Sequence, residues 1–405
     1  MRSARPPAWL RLPPGLRDWA PDDLARLRAL EGRLRGAFEA WGYREVATPA
    51  LEYLETWQRG TGAPPRALFV VVDRTGELLA LRPEMTVPVA RFVATRWPAA
   101  VARLYYVGPV FRGGEVVRGD GREFLQAGVE RVGEGGPDAD AEVVALAVDA
   151  LRRAGVPEVR VGLGHAGFLR ALLDAADLPD EERGPLAAAL LRRDFVTVSA
   201  RLATAPQEVR KALQDLPALR GPEALARARR VGVGQDALDE LEAVCDALQA
   251  YGVGHAVEVD VGIVRDFDYY TGVVFEAYAP AVGAPVLGGG RYDGLLARFG
   301  DPRPAVGFAV HAERALAACS GVEVASQVLE VYYDPEARPL ALRWAQTARA
   351  AGVRVAAGPA PSPSPQGSGV WFRSDGPWWV QGGEARRLAP QELEALTRGG
   401  ASWLS

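Results

Sequence analysis

Residues 106–130 read YVGPVFRGGEVVRGDGREFLQAGVE, two strands joined by a charged, glycine-rich loop. The first strand ends on Arg112 and the second carries Gln126 and Glu130. Strand side chains alternate between faces, so Phe124, Gln126, Gly128 and Glu130 share one side. An amide and a carboxylate there, with an arginine across the hairpin, have the chemistry to grip a small zwitterion. A solvated hairpin face would carry similar residues, so the flanking blocks have to decide.

A length of 405 residues exceeds one usual domain and implies two or three packed units. With 48% apolar and 24% charged residues the composition is that of an ordinary globular protein. A net charge of −4 offers no general attraction to nucleic acid or anionic membrane. Lys211 is the single lysine among 47 basic residues, a bias that fits a GC-rich genome or a high working temperature and identifies no function. Cys245 and Cys319 lack metal-ligand spacing and read as buried free thiols of a reducing compartment. Three dispersed histidines, His165, His255 and His311, argue against a zinc site. Pro6, Pro7, Pro13 and Pro14 interrupt an N-terminal stretch without the apolar core of a signal peptide. No run of about 18 apolar residues suggests a membrane span. The expectation is a cytoplasmic protein without cofactor.

Along the chain, Leu24, Leu27, Leu30, Leu34 and Phe38 repeat at helical spacing and predict a helix over roughly 23–41, capped by Asp22 or Asp23 and ended by Gly42. YREVATPALE follows as a strand that Pro49 places at an edge or an interface. Residues 68–72 and 78–81 form a hairpin around Asp73–Gly76. In LRPEMTVPVARFVATR, Thr86 is placed to cap a helix that tolerates Pro88 in its first turn, and Glu84 sits where strand meets helix. A helix over 138–154 and the strand EVRVGLGH precede a helical insertion over about 166–250, with breaks at Pro179, Gly184, Pro206 and Gly221-Pro222. Paired strands are expected again from Val257 to Pro280. Gly288–Gly290 then reads as a turn leading into a helix; it is not a P-loop, because no Gly-Lys-Ser/Thr ending follows. Residues 304–316 read as a strand running into a helix that carries Glu313 and Arg314. A separate α/β unit is expected over 321–405, after a first domain over 1–320. Its residues 358–369 hold four prolines and three glycines and cannot supply a crossover helix.

The helix–strand ending at Pro49, LRPEMT, VFR…REFLQAGVE, VRDFDYYTGVVFE, GGGRYDGLL and AVGFAVHAER together resemble the class II aminoacyl-tRNA synthetase core, in its histidyl branch. They occur in that family's order and span about residues 14–316. The resemblance implies an α+β fold: an antiparallel sheet flanked by helices, self-dimerising through the first helix–strand unit. By position it assigns Glu84, Thr86, Arg112, Gln126, Glu130, Arg265, Tyr269 and Tyr270 to a histidine pocket. Glu84, Thr86, Gln126 and Glu130 would accept from an ammonium or imidazole N–H, and the arginines would pair a carboxylate. Asp268 would stand behind them, and Arg314 would mark a vestigial nucleotide site.

Departures from the synthetase pattern point away from catalysis. Gly114 stands where a carboxylate helps hold ATP, Asp120 where a basic residue meets phosphate, and Asp266 sits beside Arg265. Adenylation spreads negative charge that enzymes surround with cations, and these changes oppose that. Residues 321–405 carry eight arginines, no lysine and eight acidic residues, without the basic excess of a tRNA-binding domain. They read as a degenerate anticodon-binding-like unit. The chain is therefore similar to the non-catalytic regulatory subunit of short-form ATP phosphoribosyltransferase, which acts at the first step of histidine biosynthesis. That likeness implies a hetero-octamer with the small catalytic subunit, activation of that partner, histidine feedback, and neither tRNA nor membrane contact. An active histidyl-tRNA synthetase and a stand-alone histidine sensor are the alternatives.

Overall fold

A computed structural model describes residues 7–62, 67–114, 121–192, 194–202, 204–264, 269–280, 282–319, 328–360 and 368–398. Two compact units divide the chain, Met1–Glu323 and Val324–Ser405. The strands of the first unit are β1 (Arg44–Glu45), β2 (Leu51–Tyr53), β3 (Val70–Val72), β4 (Leu78–Leu81), β5 (Ala102–Phe111) and β6 (Glu123–Val132). After them come β7 (Arg160–His165), β8 (Val257–Val259), β9 (Val273–Tyr278), β10 (Leu287–Arg291) and β11 (Ala305–His311).

Eight of these strands form one sheet in the order β1-β5-β6-β11-β10-β9-β7-β8. It is antiparallel except at its margins, where β1 runs parallel to β5 and β8 parallel to β7. The β5–β6 hairpin is its longest ladder, in register from Ala102 opposite Val132 to Phe111 opposite Glu123. A smaller sheet, β2-β4-β3, stands beside the entry to the next helix. The sequence expectation of an antiparallel sheet flanked by helices is the observed architecture.

Helices α1 (Pro21–Ala40) and α4 (Pro137–Ala154) cover one face of the large sheet. Phe38 of α1 is fully buried and packs on Tyr105 and Phe308, with ring centroids 5.6 Å and 5.9 Å away. Helix α4 is alanine-rich and buried along most of its length, which lets it lie close to the strands, to α1 and to a later helix, Gln235–Ala250. Because Tyr105 and Val129 face the helices, Tyr106, Gln126, Gly128 and Glu130 emerge on the opposite face. The core on that side includes Trp57, Met85, Tyr106, Tyr269 and Tyr292.

Several local expectations need correction. The first helix has no aspartate side-chain cap; Asp22 and Asp23 lie in its first turn, where acidic charge meets the positive helix end. The stretch around Pro49 is two strands in two different sheets, since proline lacks the N–H that one continuous ladder would need. Gly184 and Pro185 both lie inside the helix Asp180–Leu191. Strands β8 and β9 each pair with β7 and not with one another. Gly288–Gly290 is no turn but the middle of strand β10, followed by a short 3-10 turn at Leu296–Phe299. Glycine is required there by close packing: a Cβ on Gly290 would stand 2.5 Å from the Val273 carbonyl and 2.8 Å from the Tyr270 ring.

The second unit has its own sheet, order Val355–Pro359, Leu329–Tyr333, Gly369–Arg373, Gly376–Gln381, Glu384–Arg387. Leu329, Val331, Val370, Phe372 and Trp379 form its core with Ala337, Ala341, Leu388 and Leu396. Helices Arg338–Ala350 and Pro390–Thr397 belong to this unit. Glu384–Arg387, a wholly exposed edge strand, has no apolar signal and was not expected.

Candidate functional site

A cleft of about 990 Å³ opens on the sheet face away from α1 and α4. Its geometry begins at the junction of β4 and α3 (Thr86–Arg96). Arg82, buried, donates from Nε to the Pro109 carbonyl at 2.8 Å and from Nη1 to the Thr48 carbonyl at 2.7 Å. That fork fixes the turn against β5. Two residues on, the Glu84 carboxylate accepts from the backbone N–H groups of Thr86 at 2.7 Å and Val87 at 2.9 Å. Glu84, and not Thr86 as expected, is therefore the residue that caps α3, while Thr86 is its first residue. Burial raises the Glu84 pKa, against the lowering effect of these N–H donors.

Behind the cleft wall formed by Tyr292 and Gly307, Glu130 is 1% exposed. Its Oε2 accepts from the Tyr292 hydroxyl, and its Oε1 is buried without a hydrogen-bond partner among the described residues. Burial pushes its pKa up to about 8, opposed chiefly by the Tyr292 hydroxyl. Gly307 faces Glu130 across the β6–β11 ladder. Any side chain there would collide with the carboxyl, so the glycine makes room for it. Gln126 Oε1 and the Tyr106 hydroxyl are likewise buried without a partner among the described residues. Burial raises the Tyr106 pKa well above its ordinary value, so its proton stays on. The tyrosines make a wall: Tyr269 lies 4.9 Å from Tyr270 and 5.7 Å, edge-on, from Tyr292 between ring centroids. At the outer end, the Arg112 guanidinium stands 4.8 Å from the Phe124 ring centre, and Arg314 donates to the Pro285 carbonyl at 2.9 Å.

The structure thus brings Glu84, Thr86, Arg112, Gln126, Tyr269 and Tyr270 to one cleft, with Arg314 at its rim. Glu130 joins them through Tyr292. Arg265, Asp266, Asp268 and Asp120 lie outside the described residues, whereas Gly114 lines the cleft mouth. Tyr292 and His311 were not singled out by the sequence. Tyr292 follows the glycine run, and reading that run as a turn hid its place at the end of a central strand. Among the described residues no cluster of three or more His, Cys, Asp or Glu could hold a metal ion, and no helix is long and apolar enough to cross a membrane.

The eight-stranded, mainly antiparallel sheet carries this cleft, and the histidyl-tRNA synthetase family model matches residues 15–315 of the chain. The histidyl-tRNA synthetase of Nostoc sp. PCC 7120 superposes with a TM-score of 0.77 over 96% of this chain and 99% of that one, at 19% identity, which speaks to fold alone. A Bacillus halodurans C structure described as an ATP phosphoribosyltransferase regulatory subunit/histidyl-tRNA synthetase gives a TM-score of 0.78 at 33% identity, covering 87% of this chain and 94% of its own. The ATP phosphoribosyltransferase regulatory subunit of Moorella thermoacetica is 45% identical over 318 residues, 76% of this chain and 82% of that protein. Its counterpart in Symbiobacterium thermophilum is 43% identical over 358 residues, 85% and 90% respectively. The chain belongs to the family of ATP phosphoribosyltransferase regulatory subunits.

Proposed function

We propose that this chain binds free L-histidine in the cleft and passes that signal to a short-form ATP phosphoribosyltransferase catalytic subunit, which it also activates. The observation that carries the ligand is the set of buried acceptors without partners among the described residues, Glu130 Oε1 and Gln126 Oε1, beside the Glu84 carboxylate. Burying such groups without a partner costs stability, so a ligand bringing N–H donors offsets that cost. An α-ammonium and an imidazole N–H are such donors, and Arg112 supplies a guanidinium partner for a carboxylate. Tyr269, Tyr270 and Tyr292 offer flat apolar faces of the size of an imidazole ring.

A cytoplasmic hetero-octamer with the catalytic subunit, built on a self-dimer of this chain, is the assembly proposed. Leu51, Tyr53, Val70, Val71, Val72 and Leu78 of the small sheet are exposed apolar residues, 39–67% accessible, and they support a second copy of the chain as their cover. The unit after Glu323 carries no basic excess, which supports a role without tRNA. Isothermal titration of the purified chain with L-histidine, alone and with the catalytic subunit, is the test. Saturable heat that Glu130→Ala weakens by more than about 1 kcal/mol is the expected result. No heat in either case, or an unchanged affinity in the variant, would remove the histidine site. Histidine-dependent ATP–pyrophosphate exchange would identify a synthetase instead.

A further inference from the structure

The ring of His311 lies face to face on Phe124, with centroids 4.1 Å apart and an interplanar angle of 2°. Both residues line the cleft, as do Arg112 and Arg314. Both His311 ring nitrogens are buried, and neither makes a hydrogen bond within the described residues. Nδ1 stands 3.4 Å from a carboxylate oxygen of Glu313, whose carboxylate already accepts from the Leu125 backbone N–H at 2.9 Å. A wall residue serving burial alone would be apolar, because burying ring nitrogens that make no hydrogen bond among the described residues is costly. What the imidazole supplies is a flat, nitrogen-bearing aromatic face, the shape of the five-membered half of a purine. The position also matters: His311 ends strand β11 at the start of the helix Ala312–Ala318, so its backbone is fixed by the ladder with β6. At about 990 Å³ the cleft is far larger than one amino acid requires.

We infer that His311 is a built-in occupant of a flat-ring subsite, covering the Phe124 platform against purine nucleotides and confining ligands to the Glu130 end. Without it, a purine would stack on Phe124 with its phosphates toward the guanidiniums of Arg112 and Arg314, the chemistry that suits phosphate. His311 is thus a specificity-determining residue of the cleft proposed to take histidine. The inference shares that cleft but reads out on nucleotide, so the two ideas fail separately.

The test uses the full chain and AMP as probe, titrated calorimetrically into wild type, H311A, H311S and H311F. The truncations should bind AMP about tenfold more tightly than wild type, within the range that one base–aromatic stack is worth. H311F, which keeps a ring on the platform, should exclude AMP as wild type does, and free imidazole should compete with AMP in H311A. A second measurement needs no variant. The chain has three histidines, so the His311 ring protons can be followed by NMR, and stacking on Phe124 should shift them upfield. Millimolar AMP should leave that shift unchanged. Truncated variants that bind AMP no better than wild type, or an AMP-induced loss of the upfield shift, would overturn the inference. Loss of histidine binding throughout, with the AMP result intact, would instead count against the histidine site alone.

Discussion

Glu130→Gln isolates the energetic consequence of a carboxyl buried behind the Tyr292 wall of the cleft. Burial raises the Glu130 pKa from an ordinary 4.5 to about 8. Between these values the folded chain holds a proton that the unfolded chain has released, so stability falls as pH rises through that window. Below it both states are protonated and the carboxyl costs nothing; above it the cost is complete. At about 1.36 kcal/mol per unit, the cost is about 2 kcal/mol near pH 6 and roughly 5 kcal/mol near pH 9. Glutamine titrates in neither state and retains a carbonyl to accept from the Tyr292 hydroxyl. The stability gained by the substitution should therefore grow by about 1–3 kcal/mol between about pH 6 and pH 9, the lower figure reflecting water that enters the cleft and screens the charge. Urea unfolding of both proteins without ligand, followed by tryptophan fluorescence across that range, measures it. A gain that is constant with pH, or that shrinks as pH rises, would refute the reasoning.

Other expectations concern the scaffold and the surface. Arg291→Gln should lower stability by about 3–5 kcal/mol, because it strands the buried Asp140 carboxylate that Arg291 holds at 2.6 Å and 3.1 Å; chemical denaturation measures the loss, and a change under about 1 kcal/mol would contradict it. Gly307→Ala should cost about 1–3 kcal/mol, since the added methyl meets the Glu130 carboxyl and the Val129 carbonyl; a thermal melt equal to that of wild type would contradict the close approach. Val72→Glu places a charge on the exposed small sheet, where Val72 is 67% accessible. It should shift sedimentation of the chain from dimer to monomer while leaving its melting temperature unchanged, and an unaltered dimer would move the interface elsewhere.

The antiparallel sheet could be read from the sequence because the hairpin over 106–130 stands among flanking blocks in a recognisable order. The helix Pro137–Ala154 was equally plain, since apolar residues at helical spacing leave few alternatives. Errors gathered where tertiary packing overrides local preference. A glycine triplet looks like a turn in isolation, yet in β10 the close approach of the Tyr270 ring and the Val273 carbonyl demands residues without side chains. Gly184 and Pro185, breakers by residue type, both lie inside the helix Asp180–Leu191. Thr86 looked like a cap by residue type, but Glu84, anchored between Arg82 and the start of α3, reaches the free N–H groups instead. Gln126 and Glu130 stood out as polar residues on one face of a strand, and Glu84 as a carboxylate where strand meets helix. His311 gave no such signal: its meaning lies in the ring of Phe124, 187 positions away along the chain and 4.1 Å away in space.

Reconstitution with a short-form ATP phosphoribosyltransferase catalytic subunit tests the regulatory role most directly. Phosphoribosyl transfer to ATP would be followed with the catalytic subunit alone, with this chain added, and with L-histidine titrated into the mixture. The chain should raise the rate and L-histidine should suppress it, whereas the Glu130→Ala chain should still raise the rate but need far more histidine for the same suppression. No activation by the chain, or suppression by histidine that is indifferent to Glu130, would contradict the assignment of this cleft as the sensor.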